Sequence, residues 1–307
     1  MKPTELVMRL RCVKFFLTML MVLAPLGATS AQRQLGKGVQ LDIPFVAGGK
    51  HDQQLDLYTP DQADYPTILF VHEGSLTSGD RKDEPYAKMC ETFQAIGIGC
   101  ATTNYRLAPD HKWPSQPNDV VAAFAWLKHN IHAHGGNPNR LFLFGHSSGC
   151  LLVAIVAADP RYLAAQGMVP HDIAGVLPMG CRLNDVVEVR ETPPADYERS
   201  WAPANRVDEF MKEEIAFTSL QQRNDAVPAT HVTAQLPPSL ILIAESERLF
   251  PPVLRDAAEF VGRAQAAGAT ADIFILLDRK HKTEIQMMVT PTDPAVMRVA
   301  AFVRAHK

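Results

Sequence analysis

The stretch Leu141-Phe142-Leu143-Phe144-Gly145-His146-Ser147-Ser148-Gly149-Cys150-Leu151-Leu152 joins an apolar strand to an apolar helix through one Gly-x-Ser-x-Gly turn. A residue at the middle of such a turn stands clear of the sheet, and the glycines two positions before and after it let strand and helix approach closely. This is the arrangement of a nucleophile elbow. Ser147 is therefore a candidate acyl acceptor, and the N–H of Ser148 a candidate oxyanion donor. The flanking strand and helix carry the reading, because the pentapeptide alone also arises by chance in loops.

Working outward from the elbow, apolar runs predict strands at Val39 to Pro44, Leu55 to Tyr58, Thr67 to Val71, Gly99 to Asn104, Leu141 to Phe144, Ile173 to Leu177, Leu240 to Ala244 and Ile273 to Leu277. Helical spacing of apolar residues predicts helices over Tyr86 to Ile96, Pro117 to Asn130, Ser148 to Ala158, Pro252 to Ala267 and Pro294 to His306. Strands alternating with helices imply an α/β fold, with an eight-stranded, mostly parallel sheet covered by helices on both faces. The stretch from Arg182 to Pro238 breaks the rhythm and holds Pro193, Pro194, Pro203, Pro228, Pro237 and Pro238. It reads as a small cap or substrate-facing insertion over the sheet.

The chain has 307 residues, 47% of them apolar and 21% charged, with a formal net charge of −3. That length and apolar content suit one large core, and nothing supplies the basic footprint that nucleic acid demands. Near the start, Arg9, Arg11 and Lys14 precede an uncharged run from Phe15 to Gly27, followed by Ala28-Thr29-Ser30-Ala31. This is the pattern of a secretory signal over residues 1–31, cleaved after Ala31 or alternatively at Ser30, with an uncleaved anchor as the other reading. The main domain then covers 32–307, exported to a periplasmic or extracellular space, with no membrane contact after cleavage. Cys90, Cys100, Cys150 and Cys181 remain in the exported chain, where an oxidising compartment permits one or two disulfides. Four cysteines allow three complete pairings. Cys90 with Cys100 is the first pair to test, and Cys150, behind the elbow, reads as a buried small hydrophobe.

In an open parallel sheet, ligands sit beyond the carboxyl ends of the strands. Glu245-Ser246-Glu247-Arg248 follows one such strand and Asp278-Arg279-Lys280-His281 another, giving the chain order serine, acid, histidine. His281 would accept the Ser147 proton and return it to the leaving group, while a carboxylate on the far ring nitrogen fixes the tautomer. If the segment is extended, Glu245 and Glu247 point to the same side, so periodicity leaves the acid open. The loop Val71-His72-Glu73-Gly74-Ser75-Leu76, continuing to Arg81, is where a second oxyanion donor belongs. His129, His132 and His134 cluster near a helix end, but the segment contributes no carboxylate or thiolate in register, so no metal is expected there.

With these pieces in place, the chain from about Gln40 onward resembles the α/β-hydrolase esterases related to the hormone-sensitive lipase group, especially the feruloyl-esterase and arylformamidase-like branch. The residues that carry the likeness are His72 to Leu76, Asn104-Tyr105-Arg106-Leu107-Ala108-Pro109-Asp110-His111, Gly135-Gly136-Asn137-Pro138-Asn139-Arg140, Asp159-Pro160-Arg161-Tyr162, Pro237-Pro238, and His281-Lys282-Thr283-Glu284-Ile285. The resemblance implies an α/β-hydrolase fold, selects Glu247 over Glu245 as the acid, and maps the oxyanion N–H groups onto Glu73, Gly74 and Ser148. It further implies hydrolysis of a small or medium carboxylic ester through a Ser147–His281–Glu247 triad and an acyl-enzyme, with no cofactor and no metal. An aryl formamide or a carbohydrate-linked acyl group is the alternative substrate, and a weakly active or non-catalytic binding protein of the same fold the alternative function.

Glu73 departs from the His-Gly-Gly pattern of that group. Its N–H survives, but its carboxylate opposes a developing oxyanion: two unit charges ~5 Å apart interact by about 3 kcal/mol at an effective dielectric near 20, roughly a hundredfold in rate. Glu73 therefore points away, or activity is reduced, or the substrate is cationic.

Overall fold

The computed structural model describes residues 36–184, 215–248 and 251–306. The expected signal segment, 1–31, and the larger part of the expected cap, 185–214, lie outside the described residues.

In chain order the elements are β1 (Val39–Pro44), β2 (Gln54–Tyr58), β3 (Tyr65–Val71), α1 (Glu84–Ala95), β4 (Gly99–Thr103), α2 (Ser115–Asn130), β5 (Gly136–His146), α3 (Ser148–Ala158) and α4 (Pro160–Ala164). They continue with β6 (Gly175–Met179), α5 (Leu220–Asp225), β7 (Ser239–Ala244), α6 (Glu245–Arg248), α7 (Pro251–Ala266), β8 (Ala271–Leu276), α8 (Thr283–Gln286) and α9 (Pro294–Ala305). The strands form one eight-stranded sheet in the order β1-β2-β4-β3-β5-β6-β7-β8. Pairing is antiparallel between β1 and β2 and between β2 and β4, and parallel from β4 to β8. The expected eight-stranded, mostly parallel architecture is therefore present.

Alternation along the strands builds two cores. Leu69, Val71, Leu141, Leu143, Ile241 and Ile243 face α2, α3 and α7, where Val253, Ala257, Phe260 and Ala264 recur at helical spacing. Ile68, Phe70, Phe142, Phe144, Leu240 and Leu242 face the other way, toward α1 and the Val296, Val299, Phe302 and Val303 stripe of α9. Helix starts follow local chemistry: Asp293 caps α9 by accepting from the Ala295 and Val296 N–H groups, with Pro294 behind it.

Three expectations need correction. β5 begins at Gly136, well before Leu141. Its first half pairs with β3 at Tyr65, and the register then shifts before Thr67, so Pro138 falls within an irregularity that requires no ladder N–H. β6 is displaced by two residues from the expected Ile173 start. The third correction concerns Cys150: it is disulfide-bonded to Cys181 rather than a free hydrophobe, and the bridge ties the start of α3 to the residues just beyond β6. The expected Cys90–Cys100 pair is present and ties α1 to β4.

Of the Arg182 to Pro238 stretch, several described residues pack inward, while others such as Ile215 and Leu220 are exposed. Ala216, Ala226, Ala229 and Leu236 are buried in the first core, and the Ala216 carbonyl accepts from the Trp113 N–H.

Asp159, at the start of α4, is buried and accepts three hydrogen bonds from the guanidinium of Arg161 and one from its backbone N–H. Burial pushes its carboxyl up, but the Arg161 bonds outweigh that and hold it below the ordinary range. A carboxyl depressed by folding contributes stability that is present above its unfolded pKa of about 3.9 and is lost as pH falls through the lower folded value. Asp159→Asn is expected to cost about 1–2 kcal/mol at pH 7 because Arg161 is largely exposed. The difference from wild type should shrink below about pH 4, read as urea midpoints across pH. A constant difference from pH 7 to pH 3 would contradict the assignment.

Candidate active site

The parallel strands β3, β5, β6, β7 and β8 end along one edge of the sheet, as the pairings Val71↔Gly145, His146↔Met179, Met179↔Leu242 and Ala244↔Leu276 show. The chemistry-bearing side chains follow those ends. Ser147 occupies the single residue between β5 and α3 and has φ 53° and ψ −120°. This is a left-handed conformation that a non-glycine residue adopts only under constraint. The constraint is visible in the glycines. A Cβ on Gly145 would lie 2.1 Å from the Gly149 carbonyl oxygen, and one on Gly149 would lie 2.1 Å from that of Val71. The Ser147 N–H donates to the Met179 carbonyl at 2.9 Å, fixing the turn to β6. Ser148 opens α3, where the first N–H groups have no carbonyl four residues back along the helix.

Glu247 lies in α6, one turn of helix directly after β7, and is buried. Helical geometry separates it from Glu245, since residues two apart on a helix point in nearly opposite directions. Glu245 turns outward and accepts from the Asp278 N–H at 3.0 Å, while Glu247 turns inward. The expectation of an extended segment is corrected here, and the correction resolves the ambiguity that expectation created. His281 is also buried despite its basic neighbours, and its Nδ1 lies 2.7 Å from Glu247 Oε1. Burial pushes the Glu247 carboxyl up, but hydrogen bonds from His281 and from the Ala244 N–H hold it below the ordinary range. Its carboxylate is thus kept ionised beside the His281 imidazole.

Two residues not singled out from the sequence complete the cluster. His146, beside Ser147, is fully buried; its ring packs 4.6 Å from that of His281, centroid to centroid. Its Nε2 lies 3.0 Å from the His281 carbonyl oxygen and 3.1 Å from Glu284 Oε2. Glu284, on α8, is fully buried, and its carboxyl is pushed well above the ordinary range by burial and by the negative charge of Glu247. The signal for both was present in the sequence only as proximity: one adjoins Ser147, and the other follows His281 by three residues.

Glu73 does not point away. Its Oε2 lies 3.5 Å from His146 Nδ1 and 4.0 Å from His281 Nε2. Gly74 has φ +123°, and a Cβ there would lie 2.0 Å from the Ser78 carbonyl oxygen, so the loop folds back on itself in a way that requires glycine. The loop is anchored at its far end by fully buried Arg81, which donates to Asp56 at 3.0 Å, to Asp42 and to the His51 carbonyl. His72 stacks on Tyr105 with centroids 4.3 Å apart, and its Nδ1 donates to the Glu73 carbonyl at 2.6 Å.

Among the described residues, two groups of side chains converge closely enough to hold a metal: Glu73, His146 and His281, and Glu247, His281 and Glu284. His129, His132 and His134 form no such group among those residues.

Residues 68–284, which span β3 to α8 and so include every residue of the cluster, match the family model described as alpha/beta hydrolase fold. The chain belongs to the alpha/beta hydrolase fold family. This alpha/beta hydrolase is 29% identical over 209 residues to esterase LipC of Mycobacterium tuberculosis, an alignment covering 66% of this chain and 48% of that protein. It spans about half the length of the curated relatives it matches first. It is also 33% identical over 101 residues to the gibberellin receptor GID1 of rice, covering 31% of this chain and 28% of the receptor. Among solved structures, an esterase of the archaeon Pyrobaculum calidifontis superposes with a TM-score of 0.70 at 19% identity, covering 87% of this chain and 85% of that one. The expected kinship with α/β-hydrolase esterases is borne out.

Proposed function

We propose that this alpha/beta hydrolase is a serine carboxylic-ester hydrolase acting on a small or medium ester. The observation that carries the reading is the buried Glu247–His281 pair, at 2.7 Å, on the sheet edge that also bears the elbow serine. Ser147 Oγ attacks the ester carbonyl carbon while its proton passes to His281 Nε2. The N–H groups of Glu73, Gly74 and Ser148 receive the oxyanion. Collapse expels the alcohol, which takes the proton from Nε2 and leaves Ser147 acylated. Water then attacks the acyl carbon, giving its proton to Nε2; the second collapse releases the acid and returns that proton to Ser147. Glu247 holds Nδ1–H throughout and stabilises the imidazolium. No step requires a cofactor.

Substrate class is tested by parallel rates on p-nitrophenyl acetate, N-formylkynurenine and acetylated xylan, with Ser147→Ala as the control. Ester turnover that exceeds the other two supports the reading; formamide or acetylxylan turnover well above it replaces ester with the alternative substrate.

One observation favours a second reading, a weakened or binding-only site: the Glu73 carboxylate faces the two histidines. The likeness to a plant receptor is compatible with it. Glu73→Gly should raise kcat/KM by more than tenfold if the carboxylate opposes the oxyanion. An unchanged kcat/KM would remove this second reading.

We also propose that the mature chain is exported and begins at Gln32, which the two disulfides and the apolar run from Phe15 to Gly27 support. Terminal sequencing of protein recovered from the periplasmic or culture fraction should read Gln32; retention of residues 1–31 would contradict this.

A further inference from the structure

Glu73, His146 and His281 each offer a ligand atom within 4.8 Å of the other two. Hydrogen bonding decides which atoms these are. The His281 carbonyl can only accept, so His146 Nε2, 3.0 Å away, carries a proton, and in the neutral ring Nδ1 then carries the lone pair. That Nδ1 is buried and has no hydrogen-bond partner, and it faces Glu73 Oε2 at 3.5 Å. In His281, Nδ1–H is given to Glu247, which makes Nε2 the acceptor, 4.0 Å from the same carboxylate oxygen. Three electron-pair donors thus lie within 4.8 Å of one another, an arrangement that invites a cation between them.

The spacing suits a small one. Ligands at about 2.0–2.2 Å from a tetrahedral zinc ion stand roughly 3.3–3.5 Å apart, so the Glu73–His146 edge is already near that value and the Glu73–His281 edge needs only a small shift of a partly exposed carboxylate. Both histidines also have the outer support that metal-bound imidazoles require: Glu247 behind His281, and the His281 carbonyl with Glu284 behind His146. The second convergent group, Glu247, His281 and Glu284, is different. Its 2.7 Å contact is a hydrogen bond, too short for two ligands on one ion.

We propose that Glu73, His146 and His281 form a three-ligand site for a zinc-class divalent ion, and that occupancy blocks ester hydrolysis by engaging His281 Nε2. The blocking half rests on the proposed triad; the binding half does not. The ion inhibits, since a metal-bound Nε2 cannot accept the Ser147 proton. Glu73 then has a purpose the oxyanion loop alone does not give it: it turns a general base into a metal ligand.

The test uses the chelator-treated full chain. Adding Co²⁺ should give the visible spectrum of a low-coordinate cobalt site, saturating at one ion per chain, and Zn²⁺ should displace it. Glu73→Gln and His146→Asn should each weaken binding at least tenfold, with folding checked by circular dichroism. Zn²⁺ should inhibit ester turnover with a Ki matching its Kd, and EDTA should restore it. Absence of saturable one-to-one binding to wild type overturns the site, whatever the variants do, and so does undiminished binding by folded Glu73→Gln. Binding without inhibition, or with activation, overturns the blocking role. One-to-one binding in a metal-free protein that hydrolyses no ester upholds the site and counts instead against the esterase reading.

Discussion

Ser147→Ala is expected to lower kcat for ester hydrolysis by about 10⁵–10⁶-fold while leaving the fold and substrate binding in place. The size follows from the proposed role of the residue. Without Oγ no acyl-enzyme forms, and residual rate comes from water attacking a carbonyl held in the oxyanion site. Retention of the fold is argued from the elbow: the close contacts of Gly145 and Gly149 and the Ser147 N–H bond to Met179 are backbone features that alanine keeps. Relief of the left-handed conformation does not follow from the change, because alanine at φ 53° is no less constrained than serine. The measurement is kcat and KM on a p-nitrophenyl ester, with thermal unfolding as the control. Activity within tenfold of wild type in a folded variant would contradict the assignment.

Glu247→Gln is expected to lower kcat by about 10³–10⁴-fold with KM changed little. The carboxylate accepts from His281 Nδ1 at 2.7 Å and from the Ala244 N–H at 3.1 Å, and it does so buried. An amide in its place can donate its own hydrogens toward Nδ1, so the ring protonates on Nε2 instead, the nitrogen that must receive the serine proton. The charge that stabilises the imidazolium is lost as well. Glu245→Gln provides the contrast. That side chain turns outward to the Asp278 N–H, so its variant should stay within about twofold of wild type, as surface changes usually do. If Glu247→Gln kept near-native activity, the orienting carboxylate would have to be sought at Glu284, whose Oε2 lies 3.8 Å from the same ring nitrogen.

The strands and helices that frame the site were legible because their patterns are local. Leu141 to Phe144 with the turn and α3 form one continuous signal, and strand-end placement leads from Ser147 to His281 and to the pair Glu245 and Glu247, between which only the family resemblance chooses. What could not be read locally depended on contacts across the sheet. Whether Glu245 or Glu247 turns inward depended on four residues coiling into α6 rather than staying extended, a difference sequence periodicity does not register over so short a segment. Cys150 reads as a core residue in the sequence because its partner Cys181 is 31 positions away, beyond β6. His146 and Glu284 are joined by a hydrogen bond across 138 positions, so neither alone announced a role. Glu73 stands out in the sequence as a departure, but its direction, toward the histidines, is a property of the folded loop.

A fluorophosphonate probe applied to the purified, folded chain reports on Ser147 directly, because it reacts only where a serine, its base and an oxyanion site act together. Peptide mass mapping should find one adduct per chain, on Ser147, absent from Ser147→Ala and strongly slowed in Glu247→Gln. A folded protein that takes up no probe, or takes it up at another residue, would contradict the account.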